Sequence, residues 1–425
     1  MTDLTSDVEN PAPENTVLDG TPAPDDTLSR EHLLVIGTLL VSCFVVILNE
    51  TVMSVALPVL NRDLGIPASQ GQWLTTAFML TMAVIIPLTG FLISRIDTRR
   101  LFVVAMSLFT AGTVLAFLSG GFLMLLGARI VQASGTAIML PLLMTTVMTL
   151  VPPARRGAMM GNITIVISVA PALGPTLSGL ILDHFSWHWI FGLVAPIALL
   201  ALVVGARHVT PITQPGEVKA DLVSVPFAIL GFAGLVYGLV AIGEHAAGRK
   251  DLPLWLPFVV GGVALAVFLG RQLVLQRADR ALLDLRVFGS RQFSIATGAM
   301  IVAMASMFGA FILLPLYAQG VLGLSTFESG LITLPGGLLM ALTGPFVGRI
   351  YDTHGPRVLT LPGALLVSAG LWMLAAIDVD TSVWWLVGAN TILMLGLSGT
   401  FTPLMTSSLG SVAPHLYSHA SAVVG

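Results

Sequence analysis

Two stretches of this chain share one pattern: GFLISRIDTRRL, Gly90–Leu101, and GRIYDTHGPRVL, Gly348–Leu359. Gly90 aligns with Gly348, and Arg99 aligns with Arg357 nine residues further on. Each stretch closes one long apolar run and opens the next through a short basic turn. The two lie 258 residues apart (90 to 348), so the chain carries an internal repeat. Repeats of long apolar segments mark secondary transporters, whose halves rock about a site near the bilayer midplane.

The composition around the repeat requires a membrane. Of 425 residues, 55% are hydrophobic and 10% charged, and the mean hydropathy is +0.92. A soluble domain needs about 25% charged residues to solvate its surface, so the chain reads as an integral membrane protein. A net charge of −3 argues against a nucleic-acid partner. The single cysteine, Cys43, excludes an internal disulfide and a cysteine-rich metal cage.

A membrane helix needs about 20 mainly apolar residues. Twelve runs qualify, near 33–57, 72–93, 101–119, 122–149, 158–182, 188–206, 222–243, 253–275, 293–319, 327–348, 358–377 and 383–411. The repeat offset spans eight helices, where a six-plus-six protein needs six. The runs at 222–243 and 253–275 therefore read as an insert. The expected organisation is a six-helix half at 31–207, two inserted helices with linkers at 208–290, and a second half at 291–425. That second half holds four helices and the start of a fifth, which opens near Ser418 and reads as interrupted at Gly425. Residues 1–30 carry seven acids, four prolines and no base before Arg30. They lack the basic n-region of a signal peptide and read as a disordered acidic tail.

With the N-terminus inside, fifteen of the nineteen Lys and Arg residues fall on the inner side. Arg62, Arg249 and Lys250 fall outside, and Arg129 lies within a span. This asymmetry predicts a multi-pass protein of a bacterial-type cytoplasmic membrane with a cytoplasmic N-terminus.

Two ionisable groups stand inside the apolar runs. Glu50 lies eight residues before Pro58 in the first span, and Arg129 lies seven or eight residues into the fourth. At about 1.5 Å per residue both sit roughly 11–12 Å below the outer boundary. Equal depth permits a direct pair, and neither charge is stable alone in hydrocarbon. Two readings stand. In one, Glu50 is a proton carrier tuned by Arg129, because burial favours the protonated acid and a guanidinium favours the charged one. In the other, the pair only orders the two helices.

Four segments together resemble the major facilitator superfamily, and within it the fourteen-helix drug:proton antiporters. They are LNETVMSVALP (Leu48–Pro58), the loop Gly90–Leu101, RIVQASGTA (Arg129–Ala137) and APALGPTLSG (Ala170–Gly179). The likeness continues through LLPLYAQGVLGLSTFESGLITLP and covers residues 33–425. It implies an all-α major facilitator fold of two pseudo-repeated halves with two inserted helices between them. It also implies proton-coupled multidrug efflux by alternating access, driven by the proton gradient without a bound cofactor. Its partners would be drugs or dyes, protons and the bilayer, with a monomer expected. Conformational roles are implied for Gly90, Arg95, Asp97, Arg99, Arg100, Gly135, Pro171, Gly174, Pro175, Gly179, Gly348, Asp352, Gly355 and Arg357. The sequence departs from the pattern in places. Asn49 stands where the first-helix signature has its acid, and Glu50 follows it. Ser94 stands where the first loop has an acid, with Asp97 as a candidate replacement one turn along.

Candidate cavity residues are Asn49, Met53, Gln132, Met139, Asn162, Phe311, Tyr317 and Glu328. Methionine adapts to varied ligands, and aromatic faces attract cations. An exporter of one specific natural product, lipid or metabolite is the alternative within transport. A membrane di-iron enzyme is the alternative of another class, suggested by His184 with His188 and His415 with His419. Those pairs fall on opposite sides of the membrane and no adjacent His-His pair exists, so no metal site and no enzyme is expected. A Walker A sequence is also lacking, which excludes ATP as the driver.

Overall fold

The computed structural model describes residues 29–212, 221, 223–246, 253–278 and 280–425. The expected acidic tail falls on residues 1–28, outside the described residues, as do Lys219, Arg249 and Lys250. The first half comprises α1 (Arg30–Asp63), α2 (Ala68–Arg95), α3 (Thr98–Phe117), α4 (Phe122–Leu150), α5 (Arg156–His184) and α6 (His188–His208). The insert is α7 (Ser224–Ala246) and α8 (Trp255–Leu275). The second half comprises α9 (Arg291–Gly320), α10 (Thr326–His354), α11 (Arg357–Ala375), α12 (Val383–Gly410) and α13 (Tyr417–Val424). The described residues contain no strand, and twelve of these helices are long and apolar enough to cross a membrane.

The helix starts are written in the sequence. Ser29, Asp97, Ser290, Ser325 and Ser382 each accept a backbone N–H in the first turn of the helix that follows. Such caps satisfy amides that the helix itself leaves open. Gly355 takes φ +78° and ends α10, a left-handed conformation that glycine adopts without a Cβ clash.

The repeat is geometric as well as textual. In the first half α3 crosses α4 where Gly135 lies against Ala105 and Phe109. In the second half α11 crosses α12 where Gly396 lies against Gly363 and Val367. Residues 363 and 367 are 105 and 109 moved by the same 258 positions that relate Gly90 to Gly348. The crossing is repeated at Gly112 with Gln132 and at Gly370 with Leu393. One difference follows from chain content. α3 also packs on α6 and buries ten residues, whereas α11 buries only Gly363 and Gly370 and has no counterpart of α6 beside it among the described residues.

The halves meet along two seams, α5 with α10 and α2 with α13. Each seam joins the fifth helix of one half to the second helix of the other, so the repeat relates them. The buried apolar side chains divide unevenly about this arrangement. On the face that carries Arg30 and both repeat loops, one continuous core draws on α1–α6, α9 and α12 together. Toward the opposite face the core splits. Met53, Leu74, Leu125 and Phe191 belong to a cluster of the first half alone, and Leu314, Ile332 and Leu393 to one of the second half alone. The apolar cores of the halves are therefore joined at the N-terminal face and distinct at the other, where α5 and α10 still meet at Ala172 with Gly337.

The glycine crossings generate a stability prediction. A Cβ on Gly135 would overlap the Ala105 carbonyl oxygen. Gly135→Val should lower the unfolding free energy by about 1–3 kcal/mol, the usual range for overpacking a tight contact. Gly127→Ala, on the same helix with nothing within 4 Å of the added atom, should not. Thermal unfolding of the purified protein in detergent measures both.

Candidate functional site

Arg129 is fully buried on α4. Its guanidinium lies over the Phe78 ring of α2, 4.0 Å from the centroid. Its Nη1 donates to Gln132 Oε1 at 2.5 Å, and Gln132 Nε2 donates to Thr113 Oγ1 of α3 at 2.8 Å. Thr113 in turn donates to the Phe109 carbonyl at 2.7 Å. Three helices thus share one buried cation. A desolvated cation over an aromatic ring is stabilised by about 2 kcal/mol, but the charge is not neutralised, and its Nε lacks a hydrogen-bond partner.

Glu50 is half-buried on α1, at the level where the shared core gives way to the separate ones. The direct ion pair that equal depth permits is not formed. Among the described residues no Arg129 nitrogen comes within 4.0 Å of the Glu50 carboxylate. The two charges still act on one another electrostatically. In place of that pair the guanidinium has Phe78 and Gln132 as its partners. Beside Glu50, Asn49 is completely buried with neither amide atom hydrogen-bonded. The conformational segment of α5 positions this region. Thr51 Oγ1 donates to the Ala170 carbonyl at 3.3 Å, and Gly174 lies against Thr51, so α1 approaches α5 next to Glu50.

The repeat shows that this chemistry is one-sided. Counted from the helix starts, Glu50 corresponds to Phe311 and Arg129 to Asn390, both 261 residues on. Phe78 corresponds to Gly336, where an added Cβ would lie 2.7 Å from Asn390 Nδ2. The second half keeps the geometry of the first and lacks its charges.

The other cavity candidates divide. Met53 and Met139 are fully buried in the cores, Asn162 is half-buried, and Phe311 packs at the edge of the second half's outer core. Tyr317 donates to the Asp378 carbonyl between α11 and α12, a tie within the second half. Glu328 closes a capping box with Ser325 at the start of α10, which accounts for its carboxylate. Serine followed three residues later by glutamate is a legible cap signal. Phe78 and Thr113 are the residues that sequence reading missed. An aromatic and a hydroxyl in apolar helices carry no signal until α2, α3 and α4 are brought together.

The conformational residues of the two repeat loops lie at the N-terminal face. Asp352 of α10 accepts the backbone N–H groups of Gly157 at 2.7 Å and Ala158 at 2.8 Å, across the seam at the start of α5. Gly348 packs directly on Gly157, leaving no room for a side chain on either. In the first half Asp97 does something else. It caps α3 by accepting from Arg99 and Arg100 amides and pairs with the Arg100 side chain at 3.2 Å. It therefore does not replace the acid absent at Ser94. Arg99 Nε donates to the Ala206 carbonyl at the end of α6, and Arg95 lies over Phe91. Gly90 packs on His419, Pro171 sits within α5, Gly179 faces open space and Arg357 begins α11. The side chain of Pro175 lies outside the described residues.

Among the described residues, twelve membrane-length helices in two repeated halves with an insert have the architecture of a membrane transporter. The chain belongs to the Major Facilitator Superfamily, whose family model matches residues 39–425. Among its relatives is the lincomycin resistance protein LmrB of Listeria innocua, 37% identical over 390 residues, covering 92% of this chain and 82% of that protein. The multidrug resistance protein B homolog of Mycobacterium tuberculosis is 29% identical and covers 94% and 74%. The fold is shared with the proton:xylose symporter XylE, with a TM-score of 0.65 at 16% identity over 94% of this chain and 86% of that one. It is shared equally with the human organic anion transporter MFSD10, with a TM-score of 0.63 at 17% identity over 92% and 89%.

The Asp352 contact is open to test. Hydrogen bonds to a charged group contribute roughly 1.5–3 kcal/mol each. Asp352→Ala should raise amide exchange at Gly157 and Ala158 by at least about tenfold. Unchanged protection there would mean that the glycine packing alone holds the seam.

Proposed function

We propose that this chain is a proton-coupled exporter of lipophilic, often cationic, drugs or dyes. The observation that carries the reading is Glu50, a half-buried carboxylate inside a membrane helix with no ion-pair partner within 4.0 Å among the described residues. An intramembrane acid of this kind is costly and marks a pathway by default. Arg129 lies near enough to bias its protonation and is held off by Phe78 and Gln132.

The cycle follows from competition. A charged Glu50 attracts a cationic substrate, and a protonated one releases it. Proton entry down its gradient would then drive substrate out. With the N-terminus in the cytoplasm, as the arginine distribution predicts, the shared core closes the cytoplasmic face and the described arrangement is the outward-facing one. Asn49, Gln132, Asn162 and Phe311 are the polar and aromatic groups that would line the substrate path.

A narrower reading is favoured by the names of the relatives at 36–37% identity, several of which are lincomycin resistance proteins. In that reading the substrate is one antibiotic class.

Efflux of ethidium and of lincomycin from energised cells tests both. The chain should export ethidium above the empty vector, lose that export with a protonophore, and fall to the vector level with Glu50→Gln. Export that survives Glu50→Gln refutes the assignment of the proton to Glu50. Export of lincomycin without ethidium selects the narrower reading.

A further inference from the structure

The insert takes no part in the site described above, yet an ordered polar chain ties it to the seam between the halves. Arg271 of α8 donates to Asp221 twice, from Nε at 2.7 Å and Nη2 at 2.8 Å, and Ser224 at the start of α7 also donates to Asp221. The Arg271 hydrogen bonds hold the Asp221 carboxyl down at about 2, so the bridge stays charged at physiological pH. The next residue, Gln272, is fully buried. Its Nε2 donates to Ser224 Oγ at 3.0 Å. Its Oε1 accepts the backbone N–H of Leu282 at 2.8 Å and of Leu283 at 3.3 Å. A buried amide is costly unless bonded, and this one is bonded at both ends. The result is a fixed linker backbone after α8.

That linker reaches across to α13. The Asp284 N–H donates to Nδ1 of His419 at 3.3 Å, and the Asp284 carboxylate is held by Arg286 Nε at 2.9 Å and Nη2 at 2.6 Å. Leu282, Leu283 and Phe268 form one apolar cluster with Ala422 of α13 and with Leu88 and Phe91 of α2. The His419 ring lies on Gly90 of α2, where an added Cβ would sit 2.9 Å from Nδ1. Because Nδ1 accepts the Asp284 N–H, the ring is neutral with its proton on Nε2.

The repeat supplies the comparison. The α5–α10 seam has no insert beside it and is tied by Asp352 on the first amides of α5. The residue 258 positions before Asp352 is Ser94, whose hydroxyl turns back to the Phe91 carbonyl at 2.8 Å. The carboxylate tie is therefore absent from the α2–α13 seam, and the insert's linker supplies the polar tie found there.

We propose that α7, α8 and residues 280–286 are the second latch of the closed N-terminal face, with Gln272 and His419 as its positioning residues. The inference rests on the reading of the chain as an alternating-access transporter. In such a cycle this latch must release when α2 and α13 part. Neither residue contacts the Glu50–Arg129 region, so each acts on the conformational equilibrium and not on substrate or proton binding.

Amide hydrogen exchange of the full chain in lipid nanodiscs, without substrate, tests the proposal. His419→Leu and Gln272→Met should each raise exchange across 417–424 by about tenfold, the scale of one lost buried hydrogen bond, and leave 156–164 unchanged. Asp352→Ala should do the reverse. His419→Asn, which keeps an acceptor at the Nδ1 position, should retain the native protection. Peptides from 98–150 report whether a variant is folded, and if Gln272→Met fails there the His419 pair decides alone. The proposal is overturned if 417–424 is unaffected, if both seams loosen equally, or if His419→Asn behaves like His419→Leu. Because no substrate is used, a wild-type chain that fails to export ethidium would count against the proposed function and leave the latch result standing.

Discussion

Helices already surrounded by lipid gain little apolar burial by touching one another, so this bundle depends on how closely its backbones can approach. Glycine sets that distance. Gly112 and Gly135 bring α3 onto α4, Gly370 and Gly396 bring α11 onto α12, and Gly157, Gly161, Gly344 and Gly348 bring α5 onto α10. At each crossing dispersion contacts and short polar ties replace the driving force that water would supply. Thr164 with Thr402, linked at 2.7 Å across the halves, is one such tie. The lipid-facing surfaces carry large exposed side chains such as Leu361, Leu365 and Trp372, which in water would be a liability.

The same low dielectric makes each buried charge expensive, and among the described residues Arg129 is the one Lys or Arg that is fully buried. Arg129 is accommodated by an aromatic face and an amide instead of a neutralising acid. That choice leaves Glu50 near a cation but not locked to it. A bonded pair would be a static brace. A separated pair leaves the carboxylate unlocked, and α1 beside it packs on Gly174 of α5, a helix that also forms one of the two seams.

Much of this was legible in the sequence because the signals are local. Span length and hydropathy placed all twelve crossing helices to within a few residues, and the spacing of two loops exposed both the repeat and the insert. Helix rise alone put Glu50 and Arg129 near one another, and their charges do interact. What was illegible is set by lateral packing. Nothing marks Phe78 as the partner that keeps Arg129 from Glu50, since one phenylalanine among apolar residues has no periodic signature. Asp97 resembled a displaced motif acid, but its position immediately before α3 makes it a cap. Glu328 carries a plain local signal, and it closes the capping box with Ser325 at the start of α10.

The one-sided placement of charge also bears on how such a sequence can drift. Phe311, Asn390 and Gly336 hold the positions that in the first half belong to Glu50, Arg129 and Phe78. Phe311 can be exchanged for another apolar side chain of its size at a cost of about 1 kcal/mol, and Gly336 with Asn390 is limited by close packing and not by charge. Substitutions among Glu50, Arg129 and Phe78 strand a charge in hydrocarbon. A duplicated scaffold thus holds one copy under tight constraint and leaves its twin comparatively free, and new ligand preferences can accumulate in the unconstrained copy while the ionisable machinery stays as it is.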